Sequence, residues 1–561
     1  MMKSFNLNPV KSHLKVRLWL LSALLGLIVL GFLIRIIDLH VWEKGFLKSQ
    51  GDARTLRVIT QAPFRGMVAD RNGEPLAIST PVESIWINPQ EFELNHPYVE
   101  NLAQFLELPL AELKAKIQIN KNKEFLYLKR HLVPELAKHI KSLNMPGLNS
   151  RTEYRRFYPL GEVTAHVLGF TDIDDKGKEG LELGFNEWLS GQPGKKSIIR
   201  DRKGRRVEYL ETLQEMRPGK NLILSLDQRL QYIAYKELKE TVSRFNAEAG
   251  TVIILEVKTG EVLAMLNHPS YNPNLKQKKP DARYRNRAVT DVLEPGSVMK
   301  TFAVLSALES GVVSPHTEIE TSPGYLYLGS NKVQEIENRN YGRLNISGIM
   351  QKSSNVGITK LVLMQKPDQL WKTYLGLGFG ESTGSGFPGE ASGFVQKPHP
   401  KALFIQATMS FGYGLNVTPL QLVQAYASLG AGGVKRPISF LKKNGPVSGE
   451  QVILPAVAEQ MIQILTSVTE QPASNAKVPG YKVAGKTGSA RKVSLTGGYK
   501  AGEFFALFTG VVPAKDPKFA VLVMIDSPKS GANYANQVAA PLFAKIATQA
   551  LQLWNVPPDA E

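Results

Sequence analysis

The stretch DVLEPGSVMKTFAVLSALESG, residues 291–311, combines a chain break with a helix whose first turn carries two reactive side chains. Pro295 and Gly296 interrupt the chain, and a mostly apolar helix is predicted to follow and to end at Gly311. Ser297 then lies at the helix N-terminus, where unpaired N–H groups and the helix dipole favour a developing oxyanion. Lys300 lies on the same face one turn later. The pattern predicts a serine nucleophile with a lysine base.

A lysine acts as a base only when its amine is neutral. The ordinary pKa of lysine is about 10.4, so it must fall by roughly three units, each worth about 1.36 kcal/mol. Burial on an apolar helix and a second cation nearby would both lower the pKa of Lys300. The Ser-x-x-Lys motif is weak by itself, because it occurs five times in this chain, beginning at Ser12, Ser297, Ser439, Ser474 and Ser489.

Two further elements follow Ser297 in the chain. The segment QKSSNVG supplies Ser353 and Asn355 as Ser-x-Asn, and GYKVAGKTGSARKV supplies Lys-Thr-Gly at 486–488 on a predicted strand. Lys-Thr-Gly also occurs at 258–260, where it joins the apolar segments AGTVIILEV and EVLAMLN and is predicted to be a hairpin turn. Ser-x-x-Lys, Ser-x-Asn and Lys-Thr-Gly in this order are the signature of penicillin-binding proteins and class A β-lactamases.

The region from about 225 to 550 alternates strands with amphipathic helices. Asp227 is a predicted N-cap of one helix, and Thr418 and Gln421 form a predicted capping box at the start of another. Near the end, EFFALFTGVVP and KFAVLVMID flank AKDP as a further hairpin. These signals predict an α+β domain with a mostly antiparallel sheet sandwiched by helices.

Residues 18–37, LWLLSALLGLIVLGFLIRII, are apolar apart from Ser22 and Arg35. About 20 helical residues at 1.5 Å each span a hydrocarbon core of about 30 Å, so we expect one transmembrane helix. The apolar run is too long for a signal peptide, and no small-x-small cleavage site follows it. Lysine and arginine are nearly balanced on the two sides, so charge alone leaves the orientation open.

The chain of 561 residues has room for this anchor and for two or more domains. Its composition, 43% hydrophobic and 21% charged, is that of a folded protein. The net charge of +18 is spread along the sequence without a nucleic-acid motif, so we expect no nucleic-acid partner. The absence of cysteine excludes disulfides, thiolate metal sites and a cysteine nucleophile, and we expect neither a metal nor a cofactor.

These observations divide the chain into several parts. A turn-rich, charged region without a catalytic grouping follows the anchor, and Pro218-Gly219 forms a linker-like break after it. The expected parts are a tail over 1–17, the anchor over 18–37, a second domain over 38–220, the catalytic domain over 221–550 and a C-terminal tail over 551–561.

Four longer segments extend the pattern beyond the three active-site elements. They are FRGMVADRNGEPLA (64–77), RRFYPLGEVTAHVLGFT (155–171), GKEGLE (177–182) and RNRAVTDVLEPGSVMK (285–300). With them, nearly the whole chain resembles the class B penicillin-binding proteins, and among these the division-specific (septal) transpeptidases. The resemblance implies that 38–220 is an elongated pedestal domain of the dimerisation type. Its Arg65, Arg155, Arg156 and Glu182 would tie the pedestal to the anchor and to the catalytic domain.

The resemblance also implies a role for each active-site residue. Ser297 would attack the carbonyl between the last two D-alanines of a peptidoglycan stem peptide, and Lys300 would take its proton. Ser353 would relay that proton to the departing D-alanine, and Asn355 would hold the amide of the donor peptide.

The second Lys-Thr-Gly has implied binding roles. Lys486 and Thr487 would bind the terminal carboxylate, and Gly488, lacking a side chain, would let the substrate lie along the strand. The backbone N–H groups of Ser297 and Ser489 would form the oxyanion hole. Many relatives carry threonine at the position of Ser489, and serine keeps both the N–H and a hydroxyl.

The implied partners are peptidoglycan stem peptides and lipid-linked precursor strands, β-lactam antibiotics, the cytoplasmic membrane, a glycosyltransferase of the FtsW type and other division proteins. The short N-terminal tail would lie in the cytoplasm and the catalytic domain in the periplasm, at the division site.

Other members of the wider group fit the sequence less well. The elongation-specific transpeptidase usually carries aspartate in the Ser-x-Asn element, where this chain has Asn355. A serine β-lactamase would be smaller, with a cleaved signal and a deacylating base. The anchor and the pedestal segments also count against a D,D-carboxypeptidase, and we find no signalling region for a β-lactam sensor.

Overall fold

The computed structural model describes residues 10–200, 206–275, 282–494, 497–529 and 534–560. Its first element, α1 (Val10–Ile37), continues through a π-helical turn at Asp38–Trp42 into α2 (Lys44–Thr55). The segment Leu14–Trp42 has a mean hydropathy of 2.6 and no buried part. It contains the predicted anchor and is long and apolar enough to cross a membrane.

Short helices and strands alternate in the next region. Strand β5 pairs antiparallel with β3 from Ile78↔Phe157 to Ile87↔Leu148, and a small core fills the space below them, around Leu102, Leu113 and Ile140. The elements are β1 (Leu56–Gln61), β2 (Val68–Ala69), β3 (Pro75–Ile87), α3 (Val99–Phe105), α4 (Leu110–Ile119), β4 (Leu126–Leu132), α5 (Pro134–Ser142), β5 (Leu148–Phe157), α6 (Ala165–Leu168), α7 (Gly180–Gly184), α8 (Asn186–Ser190), β6 (Gly194–Arg200) and β7 (Arg206–Gln214).

The C-terminal region contains most of the long helices. The elements are β8 (Leu222–Ile223), α9 (Gln228–Arg244), β9 (Ala249–Glu256), β10 (Val262–His268), α10 (Arg287–Thr290), α11 (Lys300–Glu309), β11 (Glu318–Glu320), β12 (Tyr325–Leu328), β13 (Asn331–Gln334), β14 (Arg343–Asn345), α12 (Ile346–Lys352), α13 (Asn355–Leu363), α14 (Gln369–Gly376), β15 (Phe394–Val395), α15 (Leu403–Ser410), β16 (Leu415–Asn416), α16 (Pro419–Gly430), β17 (Val434–Lys435), β18 (Glu450–Gln451), α17 (Pro455–Thr469), β19 (Ala484–Val493), β20 (Tyr499–Val512), β21 (Phe519–Asp526) and α18 (Ala535–Leu553).

The five-stranded sheet of this region runs in the order β10-β9-β21-β20-β19, and every neighbouring pair is antiparallel. Successive side chains of a strand point to opposite faces. Accordingly, Val252 and Ile254 of β9 pack with α9 and α18, while Ile253 and Leu255 pack with the core around α11 and α16. The predicted antiparallel sheet covered by helices on both faces is confirmed, and β19 forms one edge.

The pedestal and the catalytic domain share part of one hydrophobic core. Strand β8 pairs parallel with β2 of the pedestal rather than with the catalytic sheet. Asp70 of the pedestal accepts a hydrogen bond from the Gln228 N–H at 3.1 Å. The predicted N-cap is confirmed, since the Asp227 carboxylate accepts from the Arg229 N–H at 3.0 Å.

A buried charge cluster lies inside the pedestal. The Nε atoms of Arg65 and Arg156 donate to the two oxygens of Glu182, both at 2.6 Å, and the three side chains are at most 1% exposed. The expectation that they tie the pedestal to its neighbours needs correction, because these contacts join pedestal segments far apart in sequence. Arg155 differs: it is exposed, and it donates to the carbonyl of Asn274 in the catalytic domain at 2.9 Å.

Candidate active site

The turn that carries Ser297 packs closely against Gly412. Residues Gly296–Met299 form a 3-10 turn that leads into α11, where the sequence predicted one continuous helix. Gly296 has a φ of +63° and donates its N–H to the carbonyl of Gly412 at 3.1 Å. A Cβ on Gly412 would lie 2.2 Å from the Gly296 carbonyl oxygen, so only glycine permits this approach. Ser297 itself stays half-buried.

Lys300 is the first residue of α11 and is fully buried. Its Nζ donates to the Ser353 carbonyl oxygen at 2.6 Å, to the Ser353 Oγ at 3.1 Å and to the Asn355 Oδ1 at 2.7 Å. The structure therefore brings the first and second sequence elements together around one amine.

Burial lowers the pKa of Lys300 well below its usual range, and the charge of Lys486 lowers it further. An ammonium group would use all three of its N–H bonds on Ser353 and Asn355. The neutral amine has only two N–H bonds and gains a lone pair, which is free to accept the Ser297 proton. The environment thus favours the protonation state that a general base needs.

The Ser-x-Asn element forms a tight junction between two helices. Ser353 ends α12 in the left-handed conformation, with φ 51° and ψ 43°, which is uncommon for serine. Ser354 caps α13, and Asn355 is its first residue. The Asn355 Nδ2 donates to the Gln334 carbonyl at 3.0 Å, so this side chain is held by β13 on one side and by Lys300 on the other.

Lys486 lies on the edge strand β19 and is 3% exposed. Burial lowers its pKa to about 8, and its Nζ contacts the Thr487 carbonyl oxygen at 3.3 Å and the Thr487 Oγ1 at 3.5 Å. Because β19 pairs with β20 on one side and ends the sheet order, its other side can accept an extended peptide as an added strand.

Gly488 packs against the turn that carries Ser297. A Cβ at this position would lie 2.9 Å from the Val298 Cγ1 and 3.0 Å from the Pro295 carbonyl oxygen. Glycine is therefore required here by the Ser297 turn, and its role beside the substrate stays a prediction. The neighbouring Ser489 is exposed, and its Oγ accepts from the Ala535 N–H at 3.2 Å at the start of α18.

The first Lys-Thr-Gly lies in the connection between β9 and β10, as the sequence predicted. Gly260 has a φ of +74°, which a glycine adopts without strain. Lys258 is exposed and pairs with Asp516 at 2.9 Å. Lys258 is therefore in a different environment from the buried Lys486.

Glu335 contacts the site and was not identified from the sequence. Its buried carboxylate accepts from the N–H of Asn355 at 2.7 Å. The local segment VQEIEN gives no signal for this role, because Glu337 looks alike in sequence but is exposed and pairs with Arg339.

Two family models match the chain. The Penicillin binding protein transpeptidase domain matches residues 250–548, and the Penicillin-binding Protein dimerisation domain matches residues 60–224. The first covers the sheet and all three active-site elements, and the second covers most of the pedestal.

The chain is also similar to individual proteins. It is 40% identical to "Peptidoglycan D,D-transpeptidase FtsI" of Escherichia coli K12, over 98% of this chain and 94% of the relative. It is 39% identical to "Probable peptidoglycan D,D-transpeptidase PbpC" of Pseudomonas aeruginosa, over 94% and 93%. The crystal structure of a peptidoglycan synthetase from Bifidobacterium adolescentis shares the fold, with a TM-score of 0.71 and 24% identity over 90% of this chain and 98% of that one. With both domains matched and relatives aligned over nearly its full length, the chain belongs to the class B penicillin-binding proteins.

Proposed function

We propose that this protein cross-links peptidoglycan at the division septum as a D,D-transpeptidase, through an acyl-enzyme on Ser297. The observation that carries the proposal is the fully buried amine of Lys300, bonded to Ser353 and Asn355 and placed one helical turn after Ser297. The relatives named peptidoglycan D,D-transpeptidase, aligned over nearly the whole chain, support the same reaction.

In the first half-reaction, the Ser297 Oγ attacks the carbonyl carbon of the penultimate D-alanine, and its proton passes to the neutral Nζ of Lys300. The C–N bond to the last D-alanine then breaks. The proton reaches the leaving amine through the Ser353 Oγ, which lies 3.1 Å from Lys300 Nζ. An ester on Ser297 and free D-alanine result.

In the second half-reaction, the amine of a neighbouring stem peptide attacks this ester. Lys300 takes a proton from the attacking amine and returns one to the Ser297 Oγ as the C–O bond breaks. The product is a peptide cross-link, and the serine is regenerated.

In this proposal, the donor peptide binds along the edge strand β19. Lys486 and Thr487 bind the terminal carboxylate, and the N–H groups of Ser297 and Ser489 bind the oxyanion. A single donor of this kind typically contributes about 10² to 10³-fold to the rate. β-Lactams carry a matching carboxylate and a reactive carbonyl, so they acylate Ser297 at the same place.

The location follows from the substrate and the anchor. Stem peptides lie outside the cytoplasmic membrane, so α1 anchors the protein with its short tail in the cytoplasm and the catalytic domain in the periplasm. A glycosyltransferase of the FtsW type and other division proteins would supply the glycan strands and bind through the anchor and pedestal.

The reaction can be tested with the full-length protein in detergent. We would supply a donor peptide ending in D-alanyl-D-alanine and an acceptor amine, and measure released D-alanine and cross-linked product. The proposal expects both products in equal amounts from the wild type and neither from Ser297→Ala. Release of D-alanine by Ser297→Ala at the wild-type rate would overturn the proposal.

The septal assignment has its own test. Asn355, at the position where the elongation-specific transpeptidase usually carries aspartate, favours the septal type. Depletion of the protein in its host should therefore give long filaments without septa. Rounded cells would assign the protein to elongation instead.

A further inference from the structure

Glu335 is a buried residue, 1% exposed, and it follows β13 directly in the chain. In space, its carboxylate lies at the N-terminus of α13. Its Oε1 accepts from the Ser354 hydroxyl and, at 3.3 Å, from the Val356 N–H, while its Oε2 accepts from the Asn355 N–H at 2.7 Å. One side chain thus binds three donors of the segment that includes Ser353 and Asn355.

These bonds fix a strained junction. Ser353 holds a left-handed backbone conformation, which persists only when the surrounding structure imposes it. On its C-terminal side, Ser354 is held by Glu335 and by its own N–H, which donates to the Ile349 carbonyl at 3.0 Å. This conformation turns both the carbonyl oxygen and the Oγ of Ser353 toward Lys300 Nζ.

Glu335 also acts on Lys300 through its charge. Two charged groups influence this amine: Lys486 on β19 lowers the pKa of Lys300, and Glu335 raises it. Ser353 and Asn355, from the α12–α13 junction, contact the amine with neutral groups only. Glu335 therefore opposes part of the effect of burial and of Lys486.

We propose that Glu335 is a positioning residue for acylation, which fixes Ser353 and Asn355 against Lys300 and balances the positive charge of Lys486. This inference rests on the proposed function, since it assigns Glu335 a role in that same reaction. Glu335 does not touch the substrate, and its influence passes through the Ser353 turn and through the electric field at Lys300.

The test measures the second-order rate of acylation by a fluorescent penicillin against pH for four full-length proteins. These are the wild type, Glu335→Gln, Ser354→Ala and the control Glu318→Gln, whose exposed carboxylate pairs weakly with Arg343 at 3.9 Å. Glu335→Gln keeps the shape but loses the charge, and a single amide oxygen cannot accept all three bonds. Ser354→Ala loses the bond to Glu335 and the cap on the Gly357 N–H, but no charge. Thermal unfolding verifies that each variant is folded.

The proposal predicts a plateau rate about 10-fold lower in Glu335→Gln, as expected for lost hydrogen bonds to a charged group. Because removing the carboxylate lowers the pKa of Lys300 further, the acid limb of this variant should move to lower pH. Ser354→Ala should lower the plateau without moving the limb, and Glu318→Gln should behave like the wild type.

Four outcomes separate the possibilities. A Glu335→Gln profile equal to that of the wild type would overturn the proposal, and so would slowing with an unmoved limb, which would leave Glu335 a helix cap only. If Glu335→Gln does not fold, unchanged acylation in Ser354→Ala would overturn the positioning role by itself. A wild type that is not labelled on Ser297 would instead refute the proposed function.

Discussion

The Nζ of Lys300 lies 2.6 Å from the carbonyl oxygen of Ser353, a residue 53 positions later in the chain. This contact joins the first turn of α11 to the junction between α12 and α13. It holds a buried amine beside the Ser297 turn, and among the described residues no carboxylate is hydrogen-bonded to it. Burial lowers the pKa of this amine, which supports the proposed role as a base.

Replacing Lys300 by methionine should abolish most of the reaction with penicillin. Methionine retains an apolar chain of similar length, so the fold should persist while the base is lost. Positioned acid–base catalysis contributes typically about 10² to 10⁴-fold, and the acylation rate should fall by that factor. Lys352→Met is the matched control, because Lys352 is exposed at the end of α12. Similar rates in the two variants would contradict the role of Lys300.

The pH profile of acylation should fall on its alkaline side near pH 8. Lys486 has a pKa of about 8 and binds the penicillin carboxylate only when it is protonated, which holds below that pH. The second-order rate constant reports groups of the free enzyme, so it should decline as pH rises through this value. Lys486→Gln should be slower throughout and should lack this decline. A wild-type rate that stays constant to pH 10 would be incompatible with this role of Lys486.

Gly488→Ala should slow acylation of Ser297 and not only weaken substrate binding along β19. The new Cβ would lie 2.9 Å from Val298 Cγ1, so the Ser297 turn must shift. Displacement by about 1 Å can cost about 10²-fold in rate, and overpacking typically costs about 1–3 kcal/mol of stability. Gly376→Ala is the control, because no atom lies within 4 Å of a Cβ placed there. Normal acylation by Gly488→Ala would refute this packing.

Glu182→Ala should destabilise the pedestal strongly. It leaves the guanidinium groups of Arg65 and Arg156 buried without their carboxylate, and breaking a buried pair costs about 3–5 kcal/mol. The thermal unfolding midpoint of the full chain measures the effect, with exposed Glu187→Ala as control. If both variants unfold at the wild-type temperature, the cluster does not support the pedestal.

The sequence predicts the features that depend on local pattern. Motif order separated the second Lys-Thr-Gly from the turn at 258–260, and the apolar strands joined by hairpin turns predicted the antiparallel sheet. Capping chemistry located the starts of α9 and α16, where the Thr418 and Gln421 capping box is confirmed.

Features that depend on distant contacts were missed or misread. Glu335 reaches the site because a hairpin folds back over α13, and no local signal marks it. A side chain at Gly488 would meet Val298 from a segment far upstream, a packing constraint that the local sequence does not show. The partners of Arg65 are more than 100 positions away, so only the fold could identify them as parts of the pedestal.

The most direct measurement is covalent labelling by a fluorescent penicillin, followed by mass analysis of the labelled peptide. The account predicts one stable adduct on the peptide that contains Ser297, and no adduct in Ser297→Ala. The adduct should persist, since the sequence offers no obvious second base to activate water for its hydrolysis. Persistent labelling of Ser297→Ala, or an adduct on another serine of the wild type, would contradict the central claim.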